Sequence, residues 1–236
     1  MRFLTYQYTN PGARDPNEDS MGSFSGEKYH AWIAADGLGG HSHGEAASRE
    51  AVQKLSDAMS KCRGLDEGFI QDTFAGMNDA VTSLHGPLTT VVAAFSDGEK
   101  LWYGNDGDSR LLFIRRKEVI GRTNDHSLAF LAYKTGQIEY DEIPLHPAQN
   151  RLFHSLGFEN EFVGEFYSPI DLEPGDAFIL CTDGFWELVN ERETIRTLNI
   201  SQTPQEWLEF MLEILESRLK PTSDNYTAVC VLVRED

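Results

Sequence analysis

Ala31-Trp32-Ile33-Ala34-Ala35-Asp36-Gly37-Leu38-Gly39-Gly40-His41 begins as an apolar run and ends on an acid, several glycines and a histidine. The run reads as a strand, and Asp-Gly reads as the place where it ends in a turn. The pattern recurs along the chain. Asp183-Gly184 follows the apolar run Ala177–Thr182, and Asp224-Asn225 precedes Tyr226–Val233. A further acidic cluster, Asn17-Glu18-Asp19, lies near the N-terminus. A single Asp-Gly is an ordinary turn. Several acids at the ends of apolar runs are another matter, because strand ends are where a fold brings distant residues together. Carboxylates converging on one spot repel one another and raise each other's pKa unless a cation sits between them. With oxygen donors and no Cys/His pairing at zinc spacing, that cation is expected to be Mg²⁺ or Mn²⁺.

The chain has 236 residues, enough for one substantial core, so a single domain over 1–236 is expected. No apolar run approaches the ~18 residues of a membrane helix, and Met1-Arg2-Phe3-Leu4-Thr5-Tyr6-Gln7 lacks the apolar centre of a signal peptide. Cys62, Cys181 and Cys230 are widely spaced inside apolar segments and read as reduced core residues, which together with the N-terminus points to the cytoplasm. Twenty basic residues against 38 acidic ones give a net charge of −18, which repels nucleic acid and anionic membranes. An anionic substrate would need metal ions and a local arginine to offset that field.

Helical spacing of Ala47, Ala51, Leu55 and Met59 predicts a helix over Gly44–Cys62. Ile70, Phe74, Met77, Val81 and Leu84 predict another over 66–84, and Trp207, Leu208, Met211, Leu215 and Leu219 a third over 204–219. Strand-like runs at Thr89–Phe95, Lys100–Gly104, Arg110–Arg115 and Glu118–Ile120 are read as an antiparallel meander. Residues 125–169 look irregular, and a loop of that length is usually functional or mobile. The sum is a strand-rich chain with three helices, in which two sheets pack face to face beneath outer helices.

Taken in order, these stretches resemble the metal-dependent protein phosphatases of the protein phosphatase 2C class, in their bacterial form. The resemblance rests on Arg14-Asp15-Pro16-Asn17-Glu18-Asp19-Ser20, on Asp36-Gly37-Leu38-Gly39-Gly40-His41 with Gly44-Glu45-Ala46-Ala47-Ser48, and on Leu88-Thr89-Thr90. Gly107-Asp108-Ser109-Arg110, Asp125-His126-Ser127, Cys181-Thr182-Asp183-Gly184 and Asp224-Asn225-Tyr226-Thr227 complete it, so it spans essentially the whole chain. Two positions depart from the family pattern: Leu88 stands where glycine is usual, and Asp106 where an apolar residue is usual.

The resemblance implies an α+β fold, a four-layer α-β-β-α sandwich of mainly antiparallel sheets, with residues 125–169 as a flap-like segment. It also implies a centre of two Mn²⁺ or Mg²⁺ ions, whose bridging hydroxide would hydrolyse phosphoserine and phosphothreonine in proteins. Asp36 resembles the bridging ligand, with the Gly37 carbonyl on one ion and Asp183 and Asp224 on the other. Asp19 and Glu18 would bind directly or through water, and Asp108 resembles the ligand of a third, weaker ion. Arg14 matches the phosphate-binding arginine, whose guanidinium fork suits two phosphate oxygens. His41 resembles the general acid to the leaving alkoxide. The natural partner is a serine/threonine kinase acting in trans. A catalytically weak phosphatase-like module that binds a phosphoprotein or regulator is the other reading, and intact metal carboxylates argue against it.

Gly40-His41-Ser42-His43-Gly44 also fits the G-x-S-x-G nucleophile elbow of serine hydrolases. An elbow needs its serine directly after the strand, whereas Asp36–Gly40 intervene, and Asp183 and Asp224 would be left unexplained.

Overall fold

A computed structural model describes residues 1–38, 43–158 and 164–235. In chain order the strands are β1 (Arg2–Asn10), β2 (Asp19–Ser25), β3 (His30–Leu38), β4 (Leu88–Thr89), β5 (Val91–Ser96) and β6 (Lys100–Asp106). They continue with β7 (Arg110–Arg115), β8 (Glu118–Arg122), β9 (Glu165–Asp171), β10 (Ala177–Cys181) and β11 (Tyr226–Arg234). The helices are α1 (Gly44–Lys61), α2 (Glu67–Thr82), α3 (Leu128–Lys134), α4 (Asp183–Trp186), α5 (Glu191–Ile200) and α6 (Pro204–Glu216), with a 3₁₀ turn at Tyr140–Leu145.

One sheet has the order β1-β11-β10-β7-β8 and the other β2-β3-β5-β6-β9, with β4 paired to β3. All the strand pairings are antiparallel. Alternation along each strand builds the layers. In β3, Trp32 and Ala34 face the opposite sheet and join Phe113, Phe178, Leu180, Val229 and Val231 in the central core. The intervening Ala31 and Ile33 pack instead against Ala47, Ala51, Leu55, Phe74 and Met77 of α1 and α2. On the far side, Leu112, Ile179, Cys181 and Cys230 meet Trp207, Leu208, Met211 and Leu215 of α6. The result is the expected α-β-β-α stack.

Several finer expectations are corrected. The predicted meander is broken: β5 and β6 pair in one sheet and β7 and β8 in the other, so Gly107-Asp108-Ser109 carries the chain between sheets. The Thr89–Phe95 run splits into β4 and β5. Three helices become six among the described residues: α3 and α4 are too short to show a clear apolar stripe, and α5 buries only Thr194 and Thr197 fully. Residues 125–169, expected to be irregular, contain α3, the 3₁₀ turn and most of β9. The last helix ends at Glu216, which leaves Leu219 38% exposed beyond it. All three cysteines are free and buried. Among the described residues no helix is long and apolar enough to cross a membrane.

Candidate metal centre and substrate cleft

The acidic clusters are brought together by strand register and by threonine hydroxyls. Asp19 opens β2 directly opposite Asp36 on β3. The backbone of Asp36 is fixed by the end of β4 and the residue after it: its carbonyl accepts from Thr90 N–H and Thr89 Oγ1, each at 2.8 Å, and its N–H donates to Thr90 Oγ1 at 3.0 Å. Thr90 Oγ1 in turn lies 2.7 Å from Ser109 Oγ, which ties the Leu88-Thr89-Thr90 stretch to the loop that carries Asp108. Gly107 in that loop has φ +105°, and a Cβ there would sit 2.6 Å from Thr90 Cβ, so the position needs glycine.

Asp183 is the first residue of α4, placed just past β10, while Asp224 stands two residues before β11. Thr182 links the two sheets by donating to Asp19 Oδ2 at 2.8 Å. Asn225 works as a clamp: its Oδ1 accepts Glu18 N–H at 2.8 Å and its Nδ2 donates to the Pro11 carbonyl at 2.8 Å. These contacts hold the 11–18 segment against the start of β11. Arg14 then reaches over the cleft and donates to Asp224 Oδ2 at 3.2 Å.

Arg14, Glu18, Asp36, Gly37, Asp108, Asp183 and Asp224 all line one cleft of about 350 Å³. Asp19 lies buried beneath them. His41 lies outside the described residues, as does Ser42. Four features of the cleft were not expected from sequence. Asn150 and Leu152 form part of its wall. Glu187 lies one turn after Asp183 and adds to the charge around it; its i, i+4 spacing from Asp183 was the available signal. The Asp108 carbonyl accepts Trp186 Nε1–H at 3.0 Å. Beside it, Arg110 makes a two-pronged, almost wholly buried pair with Asp125, at 2.8 and 2.6 Å.

The charges of the cleft carboxyls bear on what they can bind. Burial, then the charges of Asp183, Asp19 and Asp108, push the Asp36 carboxyl well above the usual range. Asp183 is raised in the same way by burial and by Asp108, Glu187 and Asp224. Asp19 is raised to about 6, chiefly by burial, and Asp108 to about 7 by burial and the Asp125 charge. Asp19 Oδ1 is buried without a hydrogen-bond partner. Buried carboxylates that repel one another, one with an orphaned oxygen, fit hard dications held by oxygen ligands.

A pH dependence follows for the metal-free protein. A carboxyl whose folded pKa lies above its unfolded value binds more protons folded than unfolded at pH between the two values, so stability falls as pH rises through that window. For Asp19 the window runs from 3.8 to about 6, and for Asp108 from 3.8 to about 7. Chelated protein should therefore melt at a higher temperature near pH 5 than near pH 8, and Mn²⁺ should flatten the difference. Thermal melts across that range, with Asp108→Asn as the comparison, check it. An equally steep slope in Asp108→Asn would rule out that carboxyl as a contributor.

Comparison with known proteins agrees with the geometry. The "Protein phosphatase 2C" family model matches residues 10–222. The "Serine/threonine phosphatase stp" of Listeria innocua is 32% identical over 232 residues, covering 92% of this chain and 90% of its own. The chain therefore belongs to the protein phosphatase 2C family. The crystal structure of the serine/threonine phosphatase Stp1 from Staphylococcus aureus superposes with a TM-score of 0.89 at 24% identity, covering 100% of this chain and 96% of that one. The catalytic domain of PstP, solved in complex with two manganese ions, superposes with a TM-score of 0.82 at 24% identity, covering 99% of both chains.

Proposed function

We propose that the cleft hydrolyses phosphoserine and phosphothreonine in proteins, using two Mn²⁺ or Mg²⁺ ions. The observation that carries this reading is the convergence of Asp36, Asp108, Asp183 and Asp224, from four separate segments, on one cleft with Arg14 at its rim. Relatives named as serine/threonine phosphatases support the substrate class. Asp36 and the Gly37 carbonyl would serve one ion and Asp183 with Asp224 the other, Asp19 and Glu18 contributing directly or through water, and Asp108 a weaker third. When bound, the ions supply an activated water and offset the charge of the phosphate.

The chain's own groups do the positioning. Arg14 is 57% exposed and uses one nitrogen on Asp224, which leaves the rest of its fork to orient the phosphate oxygens. In a protein of net charge −18 this guanidinium is an important local attraction for an anionic substrate. His41 is assigned the proton donation to the leaving oxygen. Three free, buried thiols suit a reducing compartment, which supports a cytoplasmic enzyme that opposes a serine/threonine kinase in trans. Turnover of a phosphothreonine peptide with Mn²⁺, abolished by chelator and restored by added metal, tests the activity. Turnover that survives complete metal removal would overturn it.

Arg14 and His41 should separate kinetically. Arg14→Ala removes a contact made in ground and transition states alike, so it should chiefly raise KM, with some loss of kcat, whatever the leaving group. His41→Ala should cost kcat heavily on a phosphothreonine peptide and little on p-nitrophenyl phosphate, whose phenol leaves without a proton. Equal His41→Ala losses on both substrates would exclude the general-acid role.

A further inference from the structure

Asp106, His126 and His154 converge at the end of β6, behind the loop that carries Asp108. One ligand atom from each lies within 4.8 Å of the others, and among the described residues no other set of His, Cys, Asp or Glu side chains meets as tightly. None of the three lines the phosphatase cleft. Both imidazoles aim Nδ1 at the same carboxylate oxygen, Asp106 Oδ1, at 3.2 Å from His126 and 2.6 Å from His154. Asp106 is completely buried and its other oxygen, Oδ2, has no hydrogen-bond partner. Gly107 N–H approaches His126 Nδ1 at 3.1 Å, the geometry of a donor meeting a ring lone pair. With that nitrogen as an acceptor, its lone pair and that of Asp106 Oδ1 face each other across 3.2 Å, an arrangement that a cation shared between them relieves. Behind the same ring, Nε2 of His126 faces Glu165 Oε2 at 3.7 Å, and the other oxygen of Glu165 is fixed by Asn124 Nδ2 at 2.7 Å. A carboxylate behind the free nitrogen of an imidazole is the usual outer partner of a metal-binding histidine.

We propose that Asp106, His126 and His154 form a separate transition-metal site, suited to Zn²⁺, that staples the wall of the cleft in place. Two imidazoles and one carboxylate match the donor preferences of zinc, whereas the all-oxygen cleft matches Mn²⁺ and Mg²⁺. Zinc bonds of about 2.0–2.1 Å at tetrahedral angles separate ligand atoms by roughly 3.3 Å. His126 and Asp106 already stand near that separation at 3.2 Å, whereas His154, 2.6 Å from Asp106 Oδ1 in a triad that spans up to 4.8 Å, has to draw back from Asp106 and toward His126. A zinc ion here takes the ring lone pair from Gly107 N–H. His154 is the most exposed of the three side chains, at 16%, and marks the entry side. The ligands come from three segments that already touch: His126 N–H donates to the Gly107 carbonyl at 3.0 Å, and Phe153 N–H to the His126 carbonyl at 2.9 Å. An ion joining them would fix the 150–158 stretch, which carries Asn150 and Leu152, to the loop that holds Asp108. The site does not depend on the phosphatase reading, because its ligands and its test are separate.

The test uses the full chain with Asp36→Asn and Asp183→Asn, so that the cleft does not contribute metal. After chelation and dialysis, this protein should take up one equivalent of Zn²⁺ by elemental analysis, and Co²⁺ in its place should give the visible absorption of a histidine-ligated ion. His154→Gln and Asp106→Asn should each weaken Zn²⁺ binding by more than about 100-fold and remove the Co²⁺ band, with circular dichroism unchanged. Two variants are used so that misfolding of one leaves the question answerable by the other. No uptake, with ¹⁵N NMR showing protons on the imidazole Nδ1 atoms, would mean that protons alone hold the triad and would overturn the proposal. Uptake undiminished in both variants would overturn it equally.

Discussion

Asparagine at Asp36 or Asp183 is expected to lower kcat on a phosphothreonine peptide by well over the ~100-fold that loss of an outer partner of a metal ligand costs. Each substitution keeps the size of the side chain and removes a charge. Both carboxyls are already pushed far above their ordinary range by burial and by each other's neighbours, so the metal-free variants lose a repulsion rather than a contact. Their metal-free melting temperature should therefore equal or exceed that of the unsubstituted chain, while the rise on adding Mn²⁺ shrinks. Dead enzyme with unchanged metal-dependent stabilisation would place the ions elsewhere. Dead enzyme with a collapsed metal-free melting temperature would show these acids to be structural.

The second large effect lies just beside the centre. Arg110 and Asp125 are 7% and 1% exposed, joined by two charge-assisted hydrogen bonds, and the guanidinium lies 3.4 Å from the centre of the Trp186 ring. Arg110→Ala leaves Asp125 buried without its partner and is expected to cost about 3–5 kcal/mol of stability in urea unfolding. The pair with hydrophobic replacements on both sides, Arg110→Met with Asp125→Leu, should recover most of that loss, because no charge is left stranded. A loss under about 1 kcal/mol for Arg110→Ala would mean that water reaches the Asp125 carboxyl in the variant. Since Arg110 also opposes the rise in the Asp108 pKa, the single variant should weaken any role of Asp108 as an anion at neutral pH.

The strands that were plain from the sequence are those buried on both faces. β3, β10 and β11 lie inside their sheets, so nearly every side chain is apolar and the run is continuous. β1 and β2 are edge strands with mostly half-exposed residues, and their mixed sequences carry no such run. α5 was missed because only Thr194 and Thr197 are buried on it, although its Asn190–Glu193 capping box was a readable start signal.

The sequence by itself determined the acidic residues, their order along the chain, the family they resemble and the kind of cation that oxygen donors of this hardness accept. It determined these because residue type and spacing are local properties. Only the tertiary structure decided that Gly107-Asp108-Ser109 crosses between the sheets, that Thr182 and Asn225 lock the segments together, and that Asp106 meets His126 and His154. Each of those depends on strand pairing between residues far apart in the chain, where the free energy comes from the packing of two sheets rather than from any one segment. Asp106 shows the difference most clearly. In the sequence it is a departure from the family pattern; in the fold it is a fully buried carboxylate with two imidazoles pointed at one oxygen.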